Sequence, residues 1–359
     1  MIKKSSFSKK WIISRRKIYK RNDPSIIEKA IRALSLVEKL KSSEMSFVFK
    51  GGTSLLLLLK EFNRFSIDVD IIFNGKPEDL EKFLPKIIDG ECFTHYEKDI
   101  RKNNNNIPKS HFKFFYNSTI NNRENYILLD VLFEKENYPE KVVVPIEHNL
   151  LDTEGRTVEV VVPSIDSILG DKLTAFAPNT TGISYGVGKE AEIIKQLFDV
   201  GTLFDHCENI SMVRTSFNVT AQKEIGYRGN RNSFEDVLND AFDTSLIIPY
   251  RGAVGSEKFR KLQRGITSFS SYAFNNRFNL DQAINKASKA AYLSQLVLSN
   301  INDFERYNPS INLEKIFIEN PKYSKLNRIK KTDPEAFFYF KKAIELLEEK
   351  KATHGRRKT

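Results

Sequence analysis

Between positions 24 and 41 apolar residues fall at Ile27, Ala30, Ile31, Leu34, Val37 and Leu40, in steps of three and four that set one stripe of a helix against a core. Asn22-Asp23-Pro24 precedes them with a cap and a proline suited to a first turn, so a helix is predicted over 24–41. The period then changes. Residues 46–49 read as a short strand, Gly51-Gly52 as a tight turn, 53–61 as a helix and 66–73 as a second strand. On that second strand the period of two puts Asp68 and Asp70 on one face, and Ile67, Val69 and Ile71 on the other.

An amphipathic stretch follows at 77–88, then strands near 111–116, 126–133, 141–145 and 157–162, with polar turns at 117–125 and 152–156. The asparagine run 103–106 marks a loop tip. From Pro163 onward helical spacing takes over, at 165–177, 190–203, 218–224, 280–300 and 334–351. Three segments are expected: a basic arm over 1–22, an α+β head over 23–163 and a mostly helical C-terminal domain over 164–359.

A chain of 359 residues has room for about two domains, and its 27 Phe and 13 Tyr supply core material that disordered chains lack. The densest apolar run, 55–59, falls far short of the ~18 residues of a membrane span, so no membrane association is expected. Cys92 and Cys207 form no CxxC pair and stand apart from the histidines, which suggests neither a disulfide framework nor a zinc site and points to a reducing cytoplasm. The first 21 residues carry nine Lys or Arg and no acid, yet their apolar residues never join into the core of an export signal. The formal charge of +11 suits a polyanionic partner; it equally suits a lysine-rich surface that is merely soluble.

Candidate chemistry concentrates where a strand meets Gly51-Gly52-Thr53-Ser54, a helix, and then Asp68 and Asp70. Glycines permit close backbone approach, and a helix N-terminus offers free N–H groups to an anion such as phosphate. The order is not that of a Walker A loop, because Lys50 precedes the glycines. Two neighbouring carboxylates repel unless a cation lies between them, which a divalent metal supplies; two solvated aspartates on an exposed strand are the plain alternative. A third acid, Asp130, interrupts the apolar run 128–133, where it needs a partner: a metal, or backbone N–H groups at the edge of the core. His95, His111, His148, His206 and His354 show no ligand spacing, and no G-x-S-x-G motif is present, so hydrolytic triads are unsupported.

Together these residues resemble the nucleotidyltransferase fold of the DNA polymerase β type, and more narrowly the AbiEii family of nucleotidyltransferase toxins, to which the MenT toxins belong. The family opens with K-G-G-T-x-L and R-x-S-x-D-x-D, and here stand Lys50-Gly51-Gly52-Thr53-Ser54-Leu55 and Arg64-Phe65-Ser66-Ile67-Asp68-Val69-Asp70. A helical lysine and a later K-D-x-x-D-like element match Asp171-Lys172-Leu173 and Lys195-Gln196-Leu197-Phe198-Asp199, with Gln196 in place of the usual acid. The resemblance covers about 25–205. It implies an α+β fold with a mixed sheet in the head, Mg²⁺ or Mn²⁺ held by Asp68, Asp70 and Asp130, and an NTP substrate. It further implies a triphosphate held by Gly51, Gly52, Thr53, Ser54, Ser66 and Lys172, with Asp199 orienting the lysine; the bland reading makes Lys172 and Asp199 ordinary charges on helices. Phosphorylation of Ser66 would put charge beside two carboxylates and is expected to disrupt the site.

In the helical half Arg251, Lys258, Arg260, Lys261 and Arg264 cluster with Tyr250, Phe259 and Phe269, a face suited to gripping RNA and stacking a terminal base, or a solvated helix whose aromatics belong to the core. The loop 178–188, with three glycines, is read as an ordinary insertion or a mobile flap, the flap being favoured. The leading expectation is a metal-dependent nucleotidyltransferase toxin that moves NMP from NTP to an RNA acceptor, the tRNA 3′ end, and so blocks translation. The resemblance also implies a type IV toxin–antitoxin (abortive-infection, phage-defence) setting, with a winged-helix AbiEi-like antitoxin. Transfer to a small molecule or a protein side chain, and a catalytically inactive nucleotide or RNA binder, are the competing expectations.

Overall fold

The computed structural model describes residues 1–19, 23–59, 64–100, 107–274 and 278–356; the predicted loop tip at 103–106 lies outside them. The chain divides into two compact units, Met1–Ser164 with Ser271–Arg277, and Ile165–Ser270 with Phe278–Thr359.

The first unit opens with α1 (Lys9–Ile18) and α2 (Pro24–Ser42), the latter capped by Asp23, whose carboxylate accepts from the Ser25 N–H, with proline in its first turn. There follow β1 (Val48–Lys50), α3 (Gly51–Leu58), β2 (Val69–Phe73), the single turn α4 (Pro77–Leu80), and β3 (His95–Lys98). Next come β4 (Lys109–Asn117), β5 (Glu124–Phe133), β6 (Lys141–Pro145) and β7 (Glu159–Pro163). Five strands form one sheet in the order β1-β2-β5-β4-β3, with β2 and β5 parallel and the other pairs antiparallel; β6 and β7 form a separate hairpin. Alternation sorts the sheet into two faces. Phe112, Phe114, Tyr116, Ile127, Leu129 and Val131 are buried on one, beneath α2, whose Arg32 stacks on Tyr116 at 4.8 Å. The other face carries His111, Lys113, Phe115, Tyr126, Leu128 and Asp130, each only partly covered or exposed.

Three differences from the sequence reading have physical causes. Gly51 and Gly52 form the first turn of α3 and not a separate turn before it. The strand predicted from 66 starts at Val69, because the chain before it bonds elsewhere: Arg64 pairs with Ala273 and the Phe65 N–H donates to the Tyr272 carbonyl. Phe65, Tyr19 and Phe274 then close a cluster with ring centroids 4.5–5.4 Å apart. The edge strand β3 escaped notice because His-Tyr-Glu-Lys has no apolar alternation to announce it.

Within the segment predicted as a basic arm, residues 4–18 are largely helical and docked, and 20–22 lie outside the described residues. Ile12 is fully buried, Trp11 Nε1 donates to the Leu150 carbonyl (2.8 Å), and Ser5 Oγ donates to Asp152 (2.6 Å).

In the second unit α5 (Ile165–Ala175), α6 (Glu190–His206), α7 (Ile210–Tyr227), α8 (Phe234–Ile247), α9 (Ser256–Phe269), α10 (Leu280–Leu298) and α11 (Pro334–Arg356) are joined by loops and a 3₁₀ segment. Helix α8 was not anticipated from the sequence, and α9 matches the reading of the basic cluster as a solvated helix. The centre is α10, buried on nearly every side; its Lys289, 4% exposed, pairs with Asp205 of α6 (2.6 Å) and Glu335 of α11 (3.1 Å). Among the described residues no helix is long and apolar enough to cross a membrane.

Acid should loosen the seat of the N-terminal segment. The Leu150 N–H donates to Nδ1 of His148 (3.2 Å), and burial holds that imidazole down to about 4 from its usual 6.5. Between pH 6.5 and 4 an unfolded chain takes up the proton and the folded one does not, so the contribution is complete above 6.5 and lost as pH falls. The loss is on the order of 3–4 kcal/mol at about 1.4 kcal/mol per unit. Burial also pushes Asp89 up, but Lys39 and the N–H groups of Cys92 and Phe93 outweigh it and bring that carboxyl to about 2, below this window. Urea midpoints at pH 7 and 4.5 should therefore differ more for the unmodified protein than for His148→Gln.

Candidate active site

Strand register places four polar side chains in one row across the sheet. Lys50 of β1 pairs with Asp70 of β2, Asp70 with Asp130 of β5, and Asp130 with His111 of β4. Paired residues on neighbouring strands share a face, so two carboxylates stand side by side between a lysine and a histidine. His111 Nδ1 lies 2.6 Å from Asp130 Oδ1, with the two side chains 12% and 27% exposed. That bond orients the Asp130 carboxyl group. Histidine spacing along the chain gave no sign of it; the usable signal is the β4–β5 hairpin, whose register carries His111 to the acid.

Glycine is required at 51 on two counts. Its φ is +78°, and a Cβ there would lie 2.1 Å from Asp70 Oδ2. The Asp70 carboxylate thus sits against the first residue of α3, where backbone N–H groups favour negative charge. A Cβ on Gly52 would lie 2.4 Å from Arg64 Nη2 and 2.8 Å from Ser66 Oγ, and both of those residues are buried. Thr53 and Ser54 are fully buried, with their hydroxyls already engaged: Thr53 Oγ1 donates to the Asp68 carbonyl (2.5 Å), Ser54 Oγ to that of Gly51 (2.8 Å). Asp68 itself stands one residue before β2, so its position is set by that threonine bond and not by strand alternation. Ser66, 4% exposed, is closed to a modifying enzyme in this conformation.

Lys172 and Asp199 lie in the second unit and are joined. Lys172 Nζ is 3.0 Å from Asp199 Oδ2 and donates to Gln196 Oε1 at 3.0 Å; Asp199 is fully buried. The amide at 196 thus serves as a second acceptor for the same ammonium, one α-helical turn before the acid. The loop 178–188 is tied to α8, since Asn179 and Thr180 bond to Asp240 and Tyr185 to Thr244, which corrects its reading as a flap.

The basic cluster is partly spent on ion pairs. Arg251 pairs with Asp281 (2.6 Å), Lys261 with Glu257 (2.7 Å), and Lys258 donates to Asn179 (3.1 Å), while Arg260 and Arg264 are exposed. Phe259 and Phe269 are buried, the latter against Phe198 and Phe278, so they are core residues and present no rings to a base.

Among the described residues no three His, Cys, Asp or Glu side chains converge as a ready-made metal cage. Asp70 and Asp130 nonetheless fit Mg²⁺ or Mn²⁺. Mg²⁺ in particular takes one or two protein carboxylates and leaves its other positions to water and substrate phosphates. Two hard oxygen donors on paired strands, whose repulsion a divalent cation offsets, meet that need.

A family model described as "Nucleotidyl transferase AbiEii toxin, Type IV TA system" matches residues 35–273, more than half of the chain. The protein belongs to the AbiEii family of nucleotidyltransferase toxins. Among solved structures it is similar to JHP933 from Helicobacter pylori, at 17% identity and TM-score 0.44 over 76% of this chain and 93% of that one. It is also similar to an H. pylori protein described only provisionally as a nucleotidyltransferase, at 18% identity and TM-score 0.43 over 76% and 94%. No curated protein matches the chain at a significant level.

Lys172→Met strips the buried Asp199 of a cation and should lower stability by about 3 kcal/mol, the usual cost of removing one partner of a buried pair. Urea unfolding checks this, and a change under ~1 kcal/mol would mean that the pair is already well solvated.

Proposed function

We propose that this protein is a divalent-metal-dependent nucleotidyltransferase toxin that moves NMP from an NTP to an RNA acceptor, the tRNA 3′ end, with release of pyrophosphate. The carrying observation is the paired Asp70 and Asp130 on a partly open sheet face, flanked by Lys50 and His111. Family membership supports nucleotidyl transfer as the reaction class. A cognate antitoxin of the winged-helix type, a cytoplasmic site of action beside NTP and tRNA, and a role in phage defence belong to the same reading.

In the reaction the acceptor hydroxyl oxygen bonds to the α-phosphorus while the bond from that phosphorus to the pyrophosphate oxygen breaks, and the hydroxyl proton leaves. Asp130, held through one oxygen by His111, would help to take up that proton. Asp68 and Asp70, with Asp130, would hold the metal, which when bound neutralises phosphate charge and activates the attacking oxygen. Gly51 and Gly52 admit phosphate oxygens to the start of α3. Lys172 is assigned to the triphosphate on its motif position and on an ammonium already oriented by Asp199 and Gln196.

The test is incubation with Mg²⁺, each α-labelled NTP in turn and total tRNA, with Asp70→Asn alongside. Label should appear on tRNA and fall by at least ~10³-fold in the variant, about 4 kcal/mol of lost transition-state stabilisation. Label confined to protein or to a small molecule would move the acceptor assignment, and equal labelling by the variant would sink the role given to Asp70.

A further inference from the structure

The acid row is one of several that cross the same face of the sheet. Four residues along β5 from Asp130 stands Tyr126, paired with Phe115 of β4, which in turn pairs with His95 of the edge strand β3. Three rings therefore line up across three strands on the face that carries the carboxylates. His95 and Phe115 are stacked with centroids 4.4 Å apart and planes 3° from parallel, and Phe115 meets Tyr126 at 5.8 Å. Tyr126 is 42% exposed, and His95, on the edge strand, is exposed too. Two cations border the row, Lys113 Nζ at 5.2 Å, which also pairs with Asp99 (3.0 Å), and Lys29 Nζ at 5.7 Å from the Tyr126 centroid.

Single exposed aromatic residues are common and need no explanation. A ring row in register, bordered by lysines and lying on the same strands as a cluster of acids, is a different matter. Rings on a sheet offer stacking partners that any base can use, and the lysines complement a phosphate backbone. The stack ends at β3, and among the described residues no further strand pairs beyond it to cover His95. From Tyr126 to Asp130 the strand rises about 13 Å at ~3.3 Å per residue. About four stacked nucleotides cover that span at ~3.4 Å each.

We propose that His95, Phe115 and Tyr126, with Lys113 and Lys29, form a stacking platform for the unpaired nucleotides that precede the acceptor's 3′-hydroxyl. The platform selects acceptors with a single-stranded 3′ end and sets how far that end reaches along the sheet toward Asp130. It deepens the transferase reading and rests on it for the identity of the acceptor, but binding itself can be measured without transfer.

The experiment uses the full chain in metal-free buffer and fluorescein-labelled RNA hairpins, one blunt and one with a four-nucleotide 3′ overhang. The unmodified protein should prefer the overhang. His95→Ala/Tyr126→Ala should weaken overhang binding about 10- to 100-fold while leaving blunt-hairpin binding and the salt slope unchanged. Lys113→Gln should reduce that slope by about one. Val143→Ser, on the exposed face of the separate β6–β7 hairpin, serves as control and should alter neither. Equal affinity for blunt and overhang RNA in the unmodified protein, or unchanged overhang binding in a double variant with a native circular dichroism spectrum, would overturn the platform. So would a double variant that keeps RNA affinity yet loses binding to a purified protein partner, which would make the row a protein-docking surface. In a parallel labelling assay, overhang preference without any nucleotide transfer would uphold the platform and defeat the transferase reading, whereas transfer without the preference would do the reverse.

Discussion

Asp70 and Asp130 face each other because β2 and β5 run parallel and in register within a sheet whose other pairings are antiparallel, and that juxtaposition works against the stability of the unit that contains it. The remainder of the first unit can be understood as what makes the arrangement tolerable. Lys50 flanks one acid and His111 the other, so each carboxylate has an opposing group in its own row. The opposite face of the sheet is covered by α2 through a continuous apolar layer, which fixes the strands that the acids would otherwise push apart. Glycine at 51 lets the start of α3 close on Asp70, adding the electrostatic pull of a helix N-terminus.

The acids, the glycines and most strands were legible because their signals are local: a period of two, a glycine pair, a proline after a cap. Asp130 stood out as a charge inside an apolar run. His111 did not, since its role depends on which strands pair, and pairing is non-local. The same holds for Arg64 and Phe65, whose extended backbone looked like the start of β2 but bonds to a segment more than two hundred residues away. The aromatic residues near α9 left two readings open, a binding face or core rings on a solvated helix, and helical geometry decides for the second: it turns Phe259 and Phe269 inward and leaves Arg260 and Arg264 outside. Lys172 and Asp199, 27 positions apart, were matched by motif; their contact and the part played by Gln196 came only from the packing of α5 on α6.

The two units also differ in how they hold buried charge. In the helical unit the buried Lys289 is satisfied by two partly exposed acids, Asp205 and Glu335, within the packing of three helices. In the first unit the carboxylates stay partly exposed on an open face.

The segment 271–277 gives the first unit an unusual dependence on time. Residues 64 and 65 lead directly into Ser66, Asp68 and Asp70, and they gain their backbone partners only when Tyr272 and Ala273 exist. A ribosome therefore releases the whole of 1–164 before the piece that completes it has been made, and the growing chain carries the unsupported lead into β2 past some hundred residues of mostly helical chain. The hydrophobic faces of Tyr19 and Phe65 wait for Phe274 throughout that interval. The order of synthesis thus withholds the last backbone support of residues 64 and 65 until most of the polypeptide has emerged.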